Sequence, residues 1–495
     1  MRTGPLLALA MVITPIVPAA ADDRWVEVRS PHFTVVSNAS DGRARSVAWQ
    51  FEQIRAAIQA GWPWARVQLD RPVLVVAAKD EATMKLLLPR YWESGDRGAR
   101  PTSVFMTAPD RHYIAMRDDV KTDDTPGINP YFASYWAYSA VALNAAFERE
   151  LPLWFRSGLT EVLSNSIVRD DEIQFGRAIP WHVVVLQQEG RLRLSELITL
   201  DAQSPYYTNS GTRGRFDAQS WGVIHYLLFG RPDDRADRVN QLAKLLLGGR
   251  SSAQAIQEVF GSVEALESAY LQYQRKPITQ YARLKVENNA IAKDFPARTL
   301  PAPASLMLRA ALHAAAGRPA DARSLIDEAR KAASDAPGLY DVDAVLLDRE
   351  GKRDEARAAF AKAVDLVSTN FYAYYRLAVL AWRPSPDAET RAALEEALRR
   401  SIALNDSYAS SQALLADVIT LGSRPADALP FATRAVSLEP GDPSVRLSLA
   451  RVLWQLSRRD EARNAALAAR TLSRTDGQRR EAEDLLAFFQ RPPSP

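Results

Sequence analysis

Small residues recur through the C-terminal part of this chain at a spacing that leaves few folds open. Ala310, Ala344, Ala378, Ala416 and Ala450 follow one another at steps of 34, 34, 38 and 34 residues, and Ala329, Ala363, Ala397, Ala435 and Ala469 repeat the same steps. Two series in one phase mean one supersecondary unit copied five times. A unit of that length has room for two helices. An Ala kept at one place on each helix is what a close crossing requires, since a larger side chain would hold the axes apart. Gly317, Gly351 and Gly422 fall at or near the turns between the helices, while Ala322, Ala356, Ala428 and Ala462 open the second helices. The third unit has Thr390 at that place and carries the extra residues. The units span Pro303 to Asp476, and Gln478–Phe489 reads as a helix that caps the last apolar face.

The period resembles that of tetratricopeptide repeats. The resemblance implies an all-α solenoid whose concave groove binds an extended peptide or a helix of a partner protein. Packing against the N-terminal lobes is the other use open to that face. Arg399-Arg400, Arg458-Arg459 and Arg479-Arg480 each have Glu or Asp nearby, so they read as solvated faces.

The N-terminus reads as a secretory signal over 1–21. Arg2 supplies the positive region, Leu6–Val17 the apolar core and Ala19-Ala20-Ala21 the small-residue cleavage site. The apolar run is shorter than the ~20 residues a membrane span needs, so no span is expected after cleavage. With no cysteine, disulfides, a thiol nucleophile and Cys-ligated zinc are excluded. A net charge of +3 with both signs interspersed indicates no nucleic-acid surface. The expected location is therefore outside the cytoplasm, periplasmic or extracellular.

Between signal and repeats the pattern changes twice. Over 22–126, alternating runs at Trp25–Arg29 and His32–Val36 predict two strands, and Ser46–Ala60 carries apolar residues at helical spacing. Pro72–Ala78 reads as a buried strand, Glu81–Leu88 as a helix, and Ser103–Met106 with His112–Met116 as two further strands. His32 and His112 read as structural or surface residues. Over 127–282 the chain reads as helical, with a short helix at Ser195–Ile198, a polar loop at Tyr206–Arg215 and a helix over Phe216–Leu228. Residues 283–302, with Pro296 and Pro301, read as a semi-rigid connector, and 477–495 as the capping helix and tail.

Within the helical part, Ser134–Asn165 reads as helix, turn at Glu150-Leu151-Pro152, and a second helix opening on Trp154-Phe155. This segment, with Phe216–Leu228 downstream, resembles the active-site frame of gluzincin-type, peptidase-MA-like metallopeptidases that carry tetratricopeptide repeats. The resemblance covers roughly Trp25 to Tyr281 and implies an α+β fold, a small sheet lobe over a helical lobe. It also implies His-Glu-x-x-His on the first helix and a third-ligand Glu on the second. Two His four apart project from one helix face toward one zinc, and the Glu between them deprotonates the metal-bound water. Here those positions are Trp136, Ala137, Ala140 and Ser157, which offer no ligand and no base. The zinc site is expected to be lost, leaving no metal and no cofactor.

Tyr131, Tyr135 and Tyr138 share one helix face and read as core, whereas Trp136, Tyr138, Trp154 and Glu161 are candidates for lining a surviving cleft. The expectation is a non-catalytic, peptidase-like binding or scaffold protein of the envelope. The alternative is a hydrolase using a non-standard site in the same cleft, built from Glu161, His182 and His225, which would then have to converge. No Gly-x-Ser-x-Gly elbow or Gly-rich phosphate loop is present.

Overall fold

A computed structural model of the chain describes residues 24–490, apart from 64–66, 94–99, 122–126, 148–149, 170–171, 189, 231–234, 279, 286–290 and 384. The signal segment read at 1–21 and the lobe boundary at 126 lie outside the described residues. The first lobe runs β1 (Val26–Arg29), β2 (Phe33–Ser37), α1 (Asp41–Gly61), β3 (Val73–Ala78), α2 (Glu81–Leu87), α3 (Arg90–Glu93), β4 (Ser103–Thr107) and β5 (His112–Arg117). The helical lobe follows with α4 (Phe132–Ala145), α5 (Leu153–Ser164), β6 (Ile167–Arg169), β7 (Glu172–Phe175), α6 (Pro180–Gln187), α7 (Leu194–Leu197), α8 (Pro205–Thr208), α9 (Ser210–Phe229), α10 (Arg235–Leu247), α11 (Ser252–Phe260) and α12 (Val263–Gln274). Strands β8 (Ala282–Lys285) and β9 (Ala297–Thr299) lead into the repeats.

The main sheet has the order β4-β5-β3-β2-β1-β9, with β2, β3 and β5 parallel and the other pairings antiparallel. β3 is buried along its whole length, as an unbroken run of Val, Leu and Ala at the centre of a sheet covered on both faces must be. One face, with Val35, Val75 and Ile114, meets Phe51, Ile54 and Ile58 of α1 and Tyr135 and Tyr138 of α4. The other, with Val36, Leu74, Val76 and Ala115, meets Met84 and Leu87 of α2 and, from the first repeat helix, Leu308 and Leu312.

The stretch read as a connector, 283–302, instead contributes a short strand to each sheet. Its first residues lie in β8, which pairs with β7 (Ile173↔Leu284), and β9 pairs with β1 (Val26↔Thr299). Its polar composition reflects edge strands with one solvated side. Tyr206–Arg215 is likewise no loop. Pro205 opens α8, and the Asn209 side chain accepts the Gly211 N–H at the start of α9. Both are strong helix-start signals hidden in a polar run.

The array is five helical hairpins, α13 (Ala302–Ala315) with α14 (Pro319–Ala332), α15 (Pro337–Arg349) with α16 (Arg353–Asp365), α17 (Phe371–Ala381) with α18 (Ala388–Leu404), α19 (Ala409–Leu421) with α20 (Pro425–Leu438), and α21 (Pro443–Gln455) with α22 (Arg459–Leu472). α23 (Asp476–Gln490) closes the end, with Phe489 stacked on Trp454 at 4.2 Å. Ala310, Ala344, Ala378, Ala416 and Ala450 are all buried at the helix crossings. The second series needs one correction. Ala397 is only half-buried, and the equivalent buried place is Ser401, whose hydroxyl donates to the Phe371 carbonyl at 3.0 Å. The steps are then 34, 38, 34 and 34. The extra residues therefore lie inside the third hairpin, mostly at the start of α18, which has 17 residues against 13 or 14 in the other second helices and is capped by Asp387 accepting from Thr390 N. The left-handed turn position is held by Gly317, Gly351, Ser423 and Ser457 (φ 76°, 77°, 60° and 61°), so Gly422 sits one residue before it. Among the described residues no helix is long and apolar enough to cross a membrane.

Candidate functional site

Helices α4 and α5 meet where the sequence places the degenerate motif. α4 turns Tyr135 and Tyr138 inward: Tyr135 stacks at 5.6 Å on Tyr131, the residue just before the helix, and Tyr138 packs edge-on to Phe33 and Phe51. Trp136 and Ala140 lie on another face and stay partly exposed, as does Ser157 of α5, while Ala137 is buried. α5 lies tight against α9. A Cβ at Gly158 would come within 2.4 Å of both Ile224 Cγ1 and Ser220 O, so that crossing requires glycine.

Glu161 is the hub. Its Oε1 accepts the Trp136 indole N–H at 2.8 Å, and its Oε2 lies 3.0 Å from His182 Nε2 on α6. Glu161 and His182 are 5% and 4% exposed, so the pair is enclosed. The other imidazole nitrogen, Nδ1, has no hydrogen-bond partner among the described residues, and the ring lies against Trp221. Asp217 of α9 stands close by. Burial and then the Glu161 charge push its carboxyl up to about 6, against the pull of Arg213, which donates to it at 3.0 Å. Arg213 in turn lies over the Tyr207 ring, 3.8 Å from its centroid.

Of the three residues required to converge, Glu161 and His182 do so. His225 belongs to a separate network: its Nε2 is 2.7 Å from the Gly176 carbonyl and its Nδ1 2.9 Å from the Tyr273 hydroxyl. Burial pushes the His225 imidazole down to about 4, so it is neutral. Two candidate cleft residues are core instead. Trp154 is wholly buried and donates to Ser252 Oγ at 3.1 Å, and Tyr138 is 2% exposed beneath the sheet. The reason is helical phase. Tyr138 is two residues from Trp136 and so lies almost opposite it, and Trp154 opens α5 on its inner side. Among the described residues no three His, Asp or Glu side chains are grouped closely enough to hold a metal ion. His32 pairs with Glu52 at 2.8 Å, and His112 with Asp70 at 3.4 Å.

A second site lies between the sheet lobe and the array. It is a cavity of about 1120 Å³ at the end of the sheet where β2, β3 and β5 begin, walled on the far side by α13, α15 and the start of α17. The lobe is pinned there by polar contacts. Asn370 Nδ2 donates to Asp110 Oδ2 at 3.1 Å, Asn405 Nδ2 to the Asp70 carbonyl at 2.8 Å, and Gln68 Nε2 to Ser407 Oγ. Two dipeptides, Asp70-Arg71 and Asp110-Arg111, precede adjacent parallel strands, and each forms its own ion pair. The array opposes each with another carboxylate. Glu439 faces Asp70 and Arg71, and Asp341, bonded by Ser368 Oγ, faces Arg111 and Asp110. Burial first, then the like charges, pushes both carboxyls up to about 7.

No protein-family model matches the chain, and no curated protein matches it. Solved structures do. The chain is similar to YrrB, described as a TPR protein with an unusual peptide-binding site, at 16% identity over 36% of this chain and 90% of that one, TM-score 0.31. It is also similar to TTC0263, a thermophilic TPR protein of Thermus thermophilus, at 21% identity over 38% and 100%, TM-score 0.28. A third is PilF of Pseudomonas aeruginosa, at 15% identity over 38% and 88%, TM-score 0.29. By its own geometry, the C-terminal part of this chain is a solenoid of five helical hairpins that follow one another at the tetratricopeptide-repeat spacing.

Proposed function

We propose that this is an exported, non-catalytic, peptidase-like protein that acts as a scaffold, holding a peptide segment of a partner between its repeat array and its sheet lobe. The observation that carries the binding reading is the large cavity shared by the two, since a cleft with a rigid wall on each side orders a flexible segment at low entropic cost. The absence of chemistry rests on Glu161. Both its oxygens are committed, to Trp136 and His182, and the motif positions Trp136, Ala137, Ala140 and Ser157 bring no ligand, so no zinc is expected. Export rests on Arg2, the apolar run 6–17 and the three alanines at 19–21. The test is selection of a displayed random peptide library on the full chain, with an array-lined variant, Val342→Glu, as control. Enrichment lost in the variant supports the scaffold reading, and no enrichment on either sinks it.

The peptidase-like frame has its own test. Trp136→His, Ala137→Glu, Ala140→His and Ser157→Glu together would rebuild the zinc motif on α4 and α5. A folded variant that retains one zinc per chain after dialysis, where the parent retains none, supports the frame, and zinc-free protein counts against it. The hydrolase alternative draws on the Glu161–His182 contact alone. Turnover of fluorogenic peptides or esters that disappears in both Glu161→Gln and His182→Gln would move it ahead.

A further inference from the structure

We propose that the cavity between sheet and array takes an acidic, extended polypeptide segment. This rests on the scaffold reading above and names the chemistry of its partner. The cations around the cavity are unequally matched. Arg71 and Arg111 are each neutralised by the aspartate before them. Arg29 and Arg298 share a single carboxylate, Glu27, at 2.8 and 2.9 Å. Arg55 donates only to the Val67 carbonyl at 2.9 Å and Arg349 only to the Ala314 carbonyl at 2.6 Å, and among the described residues no carboxylate pairs with either. Of these four guanidiniums two share one carboxylate and two pair with none among the described residues, and Asp341, a further carboxylate on the wall, lies against Arg111 instead. Arg29 and Arg298 have side chains 59% and 62% exposed, so they can swing onto a ligand carboxylate and bind it through two N–H donors.

The remaining wall asks for apolar groups between the charges. Leu300, Met307, Leu308 and Val342 face the same space. A chain of mixed acidic and small apolar residues satisfies both demands. A single-stranded nucleic acid does not, because the aromatic rings bordering the cavity, Phe33, Tyr113, Tyr138 and Phe371, are 3% exposed or less and offer no face for a base to stack on.

The experiment is fluorescence anisotropy on the full chain with three labelled probes: a Glu-Leu-Ser repeat peptide, its Lys-Leu-Ser counterpart and an oligothymidylate. The acidic peptide should bind, and should weaken at least about tenfold when salt is raised from about 0.05 to about 0.5 M. The double variant Arg29→Glu with Arg349→Glu should weaken it at least as much, while Arg29→Lys with Arg349→Lys retains most of the affinity. Equal binding of the lysine peptide, tighter binding of the oligothymidylate, or indifference to salt and to charge reversal would overturn the proposal. If neutral peptides selected from the library occupy the cavity and the acidic one does not bind, the charge inference falls and the scaffold stands. If no peptide binds at all, both fall.

Discussion

Asp341 offers a quantitative test of how the array sits on the lobe. It is 9% exposed, takes hydrogen bonds from Ser368 Oγ, and faces both Arg111 and Asp110 of the lobe. Burial and the neighbouring aspartate push its carboxyl up to about 7, from 3.8 in a solvated chain. Between those two values the folded protein holds a proton that the unfolded chain has released, so folding stability falls as pH rises through the window. Worked through the linkage relation, Asp341 removes about 2–3 kcal/mol of stability between pH 5 and pH 8. Asp341→Asn keeps an acceptor for Ser368 and removes the titration. Urea unfolding of parent and variant across that range isolates the term, because groups common to both chains cancel in the difference. The variant's advantage should grow with pH by that amount. Two curves that stay parallel to within ~0.5 kcal/mol would refute the assignment, and with it the opposition of Asp341 to Asp110 across the interface.

Three further outcomes are expected. Gly158→Ala should destabilise by about 2–3 kcal/mol, read from the urea midpoint, because its methyl would have to displace Ile224 and the Ser220 carbonyl. Val367, a β-branched and 63% exposed residue at φ 56°, should gain about 1 kcal/mol on replacement by Asn, measured by thermal unfolding. His225, held neutral with its imidazole pushed down to about 4, should draw stability away as pH falls below about 6.5, since the unfolded chain then binds the extra proton. His225→Gln should flatten that acid limb in a melting-temperature profile.

The repeats were legible because a close helix crossing admits little beyond Ala, and that restriction writes a period into the sequence. The same signal misled where the chain broke step. Ala397 keeps the phase by counting forward from Ala363, but the buried position is Ser401, since residues were added inside the hairpin, mostly at the start of α18. Glu161, His182 and His225 were all visible as candidates, but it was not visible that Glu161 and His182 alone would meet. The two are 21 residues apart, on helices separated by the β6–β7 turn, and no local period links them. Strands β8 and β9 were missed for a related reason. Each is short and partly exposed, and the residues that make it a strand lie on β7 and β1.

The pairing of β9 with β1 also fixes an order of events. Arg298 and Glu27, joined across that ladder, are 271 residues apart in the chain. At a synthesis rate of ~5–20 residues per second, β1 waits roughly 15–50 s for the strand that covers its edge. Until then the sheet ends in an unpaired ladder, and the face that α13 will cover lies open beside it. A chain truncated at 296 would therefore keep that edge and that face open wherever it folds.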